Sequence, residues 1–107
     1  MQIKSGTKFI AISAGVHSSF AIDDKNNLWV WGKNNYGQLA KMNTTNYFIP
    51  QLAERNDLLF TSVSGTFHGL AMDINGVLWS WGRNHDGQLG LGDTTQRTVP
   101  LRVNNLP

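Results

Sequence analysis

The sequence predicts an all-β chain in which two antiparallel sheets, each of three to four strands, stand side by side. Three observations carry that expectation. Residues 15–50 are written a second time, at a fixed offset of fifty, as residues 65–100. Each copy consists of short β-prone runs cut by turn residues, with helix patterning nearly missing. Each copy also carries two tryptophans two residues apart, Trp29 with Trp31 and Trp79 with Trp81. A fixed period of this size marks one supersecondary unit copied, each burying an apolar face against its neighbour.

The copies pair Gly15 with Gly65, Ala21 with Ala71 and Asp23 with Asp73, and run on to Pro50 and Pro100 with no insertion between. The amino-terminal run MQIKSGTKFIAISAG is interrupted by Ser13 and has no cleavage site, so it reads as a strand rather than a signal peptide. His17–Ile22 and His68–Met72 are the next strands, each closing on an aspartate. Turns follow at residues 23–27 and 73–76, where Asn75-Gly76 is the pair favoured by a type I′ hairpin with positive φ at both central residues. Leu28–Trp31 and Val77–Trp81 return along the sheet. Indoles two residues apart on a strand share a face, and their recurrence in step with the repeat makes them interlocking core rather than a binding box.

Ile49–Leu52 and Val99–Val103 each contain a proline and fit edge strands, where the missing N–H does no harm. The one helix candidate, Leu52–Phe60, is short and broken by Asn56-Asp57, so no helix is expected. The whole chain, residues 1–107, is expected to be a single repeat domain, with one repeat over about residues 1–50 and the other over about 51–103. Units of this size and pattern fit two blades of a β-propeller. The Trp-Asp pair of WD repeats and the double glycine of kelch repeats are both missing.

Composition narrows the function classes. The chain has 107 residues, is 40% hydrophobic and carries a formal charge of +2. Its lysines and arginines are scattered singly, so no nucleic-acid footprint is expected. No apolar stretch approaches the roughly 18 residues needed to cross a bilayer, so no membrane partner is expected. Cysteine is absent, which removes disulfides and thiolate metal sites and leaves the compartment open, with the cytoplasm favoured.

Candidate chemistry is thin. His17 and His68 recur near-equivalently but lack a third partner at metal spacing, and they read as buried imidazoles satisfying backbone groups. Asp23 and Asp73 sit before the hairpin turns, where aspartate bonds its local backbone. Gly87-Gln88-Leu89-Gly90-Leu91-Gly92 has the glycines of a phosphate cradle but no helix after it. No nucleophile elbow, calcium loop or cofactor motif is present, so neither an enzyme nor a metal or cofactor site is expected. What remains is loop surface: Asn34, Asn35 and Tyr36 in the first copy, with Asn84, His85 and Asp86 in the second, are the polar positions expected to face solvent and meet a partner.

The strings SAGVHSSFA (Ser13–Ala21) with WGKNNYGQLA (Trp31–Ala40), and SGTFHGLA (Ser64–Ala71) with WGRNHDGQLGLGD (Trp81–Asp93), resemble the repeat of the regulator-of-chromosome-condensation family. The resemblance covers nearly the whole chain. It departs where His17 sits one place earlier after its glycine than His68, and where Ala40-Lys41-Met42-Asn43 replaces Gly-Leu-Gly-Asp, leaving the first copy the eroded one with its loop geometry open. The family implies a β-propeller, usually of about seven blades. Its members include exchange factors for a small GTPase, chromatin-associated factors, β-lactamase inhibitors and plant ultraviolet photoreceptors. An exchange factor would need an inserted wedge, which the fifty-residue offset leaves no room for, and the photoreceptor string Gly-Trp-Arg-His-Thr is missing.

The function expected is a non-enzymatic module of such repeats that binds a protein partner. Self-association, or further repeats, would cover the two faces that a pair of blades leaves open; three or four chains would supply about six or eight blades. The alternatives are a regulatory exchange module for a small GTPase and a fragment of a longer repeat protein.

Overall fold

In the computed structural model, which describes residues 7–15, 17–53 and 57–103, the chain forms eight strands in two separate meanders. The first sheet runs β1 (Phe9–Ala14), β2 (Ser18–Asp23), β3 (Leu28–Gly32) and β4 (Tyr47–Leu52), each pairing antiparallel with the next. The second repeats this as β5 (Phe60–Gly65), β6 (His68–Asp73), β7 (Leu78–Gly82) and β8 (Arg97–Arg102). The expected count of three to four strands per copy is therefore four. The proline-bearing strands β4 and β8 lie at sheet edges, and no helix occurs among the described residues.

Strand register corrects the sequence alignment at one point. Ala14 stands opposite Ser19, and Gly65 stands opposite Gly69, so Ala14 rather than Gly15 is the counterpart of Gly65. The turn between β1 and β2 has three residues, whereas that between β5 and β6 has two. The copies are thus offset by fifty-one residues before this turn and by fifty after it, as Phe9 and Phe60, opposite Asp23 and Asp73, confirm. A glycine in both segments hides the slip in the letters alone.

The β2–β3 and β6–β7 hairpins also differ from the type I′ expectation. Asn26 and Gly76 take positive φ, at 68° and 80°, but Asn75 does not. Asn26 and Gly76 each donate to the carbonyl of the aspartate three residues back, at 3.0 Å. This is the three-residue loop in which one left-handed residue follows an ordinary turn.

The aspartates hold these loops closed, and they do more than the expected turn-forming. Asp23 Oδ1 accepts the amides of Lys25 and Asn27 at 2.9 Å, while Oδ2 accepts the Trp29 indole N–H at 2.9 Å. Asp73 Oδ1 accepts the amides of Asn75 and Val77 at 2.8 and 2.9 Å, and Oδ2 the Trp79 indole N–H at 2.9 Å. Burial pushes the Asp23 carboxyl up, but the hydrogen bonds from Trp29, Asn27 and Lys25 outweigh it and leave it below its ordinary value. At Asp73 the Trp79 indole, then the Val77 amide, bring the carboxyl down.

Alternation along the strands gives each sheet two unlike faces. Phe20, Ile22, Leu28 and Val30 share one face of the first sheet, all buried. Against it the second sheet sets Phe60, Ala71, Trp79 and Trp81, joining both in one core. Trp81 is fully buried at this seam, its ring meeting Phe20 edge-on at 6.4 Å and Phe60 at 6.5 Å between centroids. Its Nε1 donates to the Gln38 carbonyl of the first repeat at 2.7 Å, so the one polar atom of the buried indole is satisfied. Gly69, opposite Trp81, lies directly beneath the indole, where a Cβ would overlap the ring.

Two outcomes follow from this packing. Gly69→Ala should cost about 1–3 kcal/mol, seen in thermal unfolding, because the seam has no space for a methyl. Ser19→Ala, at the matching place on the first sheet, should stay within about 0.5 kcal/mol. Because both aspartates are lowered in the folded chain, their stabilisation is complete above about 3.9, the ordinary carboxylate value. It is lost as pH falls through the lowered folded values. Denaturant unfolding at stepped pH should show stability declining on acidification, and the Asp23→Asn, Asp73→Asn double variant should decline less steeply.

Candidate partner-binding surface

The turns between β1 and β2 and between β5 and β6 emerge at the same end of the sheets as the long loops after β3 and β7. Each long loop is shaped around an asparagine. Asn34 Nδ2 donates to the Asn43 carbonyl at 2.9 Å and Oδ1 at 3.0 Å, while Asn34 Oδ1 accepts the Leu39 amide at 2.9 Å. Asn84 Nδ2 donates to the Asp93 and Thr95 carbonyls at 3.1 and 2.9 Å, and its Oδ1 accepts the Leu89 amide at 3.1 Å. Both asparagines are fully buried. The expectation that Asn34 and Asn84 face solvent is therefore corrected: a side-chain amide with two donors and an acceptor is spent on closing its own loop.

The departures Ala40 and Met42 leave the loop backbone unchanged. They occupy the left-handed region at φ 57° and 63°, as Gly90 and Gly92 do at 68° and 83°. The turn bonds match as well: Ala40 N to Gly37 O and Gly90 N to Gly87 O are both 3.1 Å. The first loop thus keeps the geometry of the second while carrying side chains where glycine is the easier choice.

Of the other sequence candidates, Asn35, His85 and Asp86 are exposed, and Tyr36 is half-buried. Tyr36 and His85, one from each repeat, come together. The Tyr36 ring meets His85 edge-on at 5.9 Å and Phe67 at 5.5 Å between centroids. The Arg83 guanidinium lies over the Tyr36 ring at 5.3 Å, and Arg83 Nε donates to His85 Nδ1 at 3.4 Å. Tyr36, Phe67, Arg83 and His85 therefore make one aromatic and cationic cluster straddling the seam at the loop end. Sequence reasoning missed Phe67 and Arg83. The available signal was the offset itself, which sets Phe67 at the place of His17 and Arg83 at that of Lys33.

The histidine expectation is also corrected. His17 is exposed rather than buried, and its counterpart is Phe67 rather than His68. His68 is half-buried, with its pKa lowered by desolvation. Among the described residues no three His, Cys, Asp or Glu side chains come close enough to share a metal ion. A shallow hollow on the outward face of the second sheet is lined by Leu70, Met72 and Leu78 with Ser62 and Ser64, and carries no titratable group.

Comparison with known proteins accords with this architecture. The family model for the regulator of chromosome condensation (RCC1) repeat matches residues 25–71 and 75–107, and a second model of that repeat matches residues 9–38. No curated protein matches the chain in sequence. Among solved structures, human WBSCR16 superposes with a TM-score of 0.78 at 24% identity, over 90% of this chain and 26% of that one. Yeast RCC1 (Prp20), solved bound to Kap60, gives a TM-score of 0.86 at 21% identity, over 98% of this chain and 26% of that one. A second structure of Prp20p from Saccharomyces cerevisiae, reported with its binding to Gsp1p and histones, gives 0.78 at 22% identity, over 98% and 27%. The chain spans about a quarter of the length of these solved proteins, and at such identities the likeness concerns the fold alone. Two four-stranded meanders joined through a buried tryptophan, with the repeat model matched over most of their length, place this chain in the regulator of chromosome condensation (RCC1) repeat family.

Proposed function

We propose that this chain is a non-enzymatic interaction module whose loop end binds a protein partner. The observation that carries this reading is the cluster of Tyr36, Phe67, Arg83 and His85. It places two aromatic rings, an imidazole and a guanidinium together at the mouth of the seam, flanked by exposed Asn35 and Asp86. Aromatic and arginine side chains dominate binding energy at protein interfaces, because they bring large contact area and directional bonding at low entropic cost. Asn34 and Asn84 support the surface from beneath by holding the loops in shape. Solved relatives of the fold engage proteins: yeast RCC1 is seen with Kap60, and Prp20p is reported to bind Gsp1p and histones.

A photo-crosslinking side chain placed at Asp86 should capture a discrete protein adduct in cells, and the same group at Asn75, at the opposite end of the sheets, should not. Tyr36→Ser should weaken capture at Asp86 by roughly thirtyfold, as the loss of about 2 kcal/mol at an interface hot spot implies, without lowering the thermal midpoint by more than a few degrees. Equal capture from both ends, or none from Asp86, would refute the proposal.

A further inference from the structure

The seam inside this chain joins two unlike surfaces, and each surface occurs a second time on the outside. The floor of Phe20, Ile22 and Leu28 recurs fifty residues on as Leu70, Met72 and Leu78, which face outward from the second sheet around the shallow hollow. The surface bearing Ala71, Trp79 and Trp81 recurs as Ala21, Trp29 and Trp31 on the outer side of the first sheet beside Ile10 and Ile12, where Ala21 is covered and the two indoles are half-buried. Ile10 and Ile12 are 57% and 70% exposed, and Leu70 and Met72 are 37% and 43% exposed.

The polar bonds of the seam have external counterparts too. Within the chain Trp81 Nε1 donates to Gln38 O at 2.7 Å, the Met42 amide to Thr98 O at 3.0 Å, and the Gly65 amide to Ser13 Oγ at 3.3 Å. The matching donors are Trp31 Nε1 and the amides of Gly92 and Ala14, and the matching acceptors are Gln88 O, Phe48 O and Ser64 Oγ. Each pair divides between the two outward surfaces. A Cβ on Gly37 would overlap Thr98 across the seam, whereas one on Gly87, its counterpart, would find space beside the Asp93 carbonyl of its own loop. Phe48, the counterpart of Thr98, is 86% exposed. Side-chain volumes compensate as well. Phe20 fits the seam because Gly65 has no Cβ, while outside the smaller Leu70 would face Ala14.

We propose that the two outward faces dock on one another between copies of this chain, head to tail, so that each contact between chains repeats the internal seam. The occupant of each face is a second copy, because the complement of each surface is the chain's own other surface. Of the seam's side-chain bonds among the described residues, only that from Asn26 Nδ2 to Phe60 O has no repeat between chains, Gly76 standing at the place of Asn26. A heterologous contact of this kind closes into a ring when the rotation permits, and blade counts of about six or eight correspond to three or four chains. This inference stands apart from the loop-end reading and survives or fails without it.

Light scattering coupled to gel filtration, at up to roughly 100 μM chain to reveal even a micromolar contact, should give a mass three or four times the 11.9 kDa of one chain. Leu70→Arg blocks one face and Trp31→Glu the other, with Ile12→Glu as a second means of blocking the latter should the tryptophan variant not fold. Each blocked variant alone should be monomeric with an unchanged far-ultraviolet circular dichroism spectrum. A mixture of Leu70→Arg with either partner variant should form a one-to-one dimer and nothing larger, because one good head then meets one good tail. A monomeric parent chain, a mixture that stays monomeric, or blocked variants that each still dimerise alone would overturn the proposal.

Discussion

Trp81 is the interaction on which the rest of this structure depends. A four-stranded meander has two faces and cannot bury both by itself, and aromatic side chains supply the largest buried area per residue. The indole is driven into the first sheet's aliphatic floor between Phe20 and Phe60, and its N–H reaches across to the Gln38 carbonyl. Three glycine-linked conditions make this possible. Gly69 clears the space beneath the ring, Gly65 admits Phe20, and Gly82 takes a φ of 99° where the strand ends. Around that contact the two sheets are joined by the turn bonds of Asn26 with Phe60, by Met42 N to Thr98 O and by Gly65 N to Ser13 Oγ.

Much of this was legible in the letters. The exact repetition of Trp-Gly-x-Asn-x-x-Gly-Gln-Leu gave away two copies of one unit, but the tryptophans are core only in the second copy, where Trp81 is buried and Trp79 packs beside it, while Trp29 and Trp31 stay half-buried on the outward face of the first sheet. The edge position of Pro50 and Pro100 followed from proline chemistry, and so did the turn role of Asp23 and Asp73. The register slip was not legible, because Gly15 and Gly65 look equivalent and only hydrogen-bonded pairing shows that Ala14 holds the place of Gly65. Nor was the destination of the aspartates' second oxygen, since a bond from Asp23 to Trp29 joins residues whose proximity exists only once the hairpin has closed.

The loop surface shows the same division between what a string of residues reveals and what it hides. Polarity alone put Asn34 and Asn84 on the outside, yet both lie fully buried with their amides spent on their own loops. Buried polar groups are tolerated when every bond is made, and asparagine offers donors and an acceptor on one short arm. The cluster of Tyr36 with Phe67, Arg83 and His85 could not be read from either copy alone, because it joins residues of both repeats across the seam. Equivalent positions in the two copies sit on the same end of their sheets, but which of them touch depends on how the sheets are stacked.

The local character of each meander bears on how the chain is made. Strand-to-strand pairing within a sheet links only neighbours in sequence, and the Asp23 and Asp73 clamps close over a six-residue span to the indoles of Trp29 and Trp79. Contacts this short in sequence form quickly, whereas those of Trp81 with the first repeat must wait for some forty residues more. A ribosome delivering the chain from its amino end therefore releases a first sheet able to take shape before the second has been translated, and its aliphatic floor then serves as the template on which the later half settles.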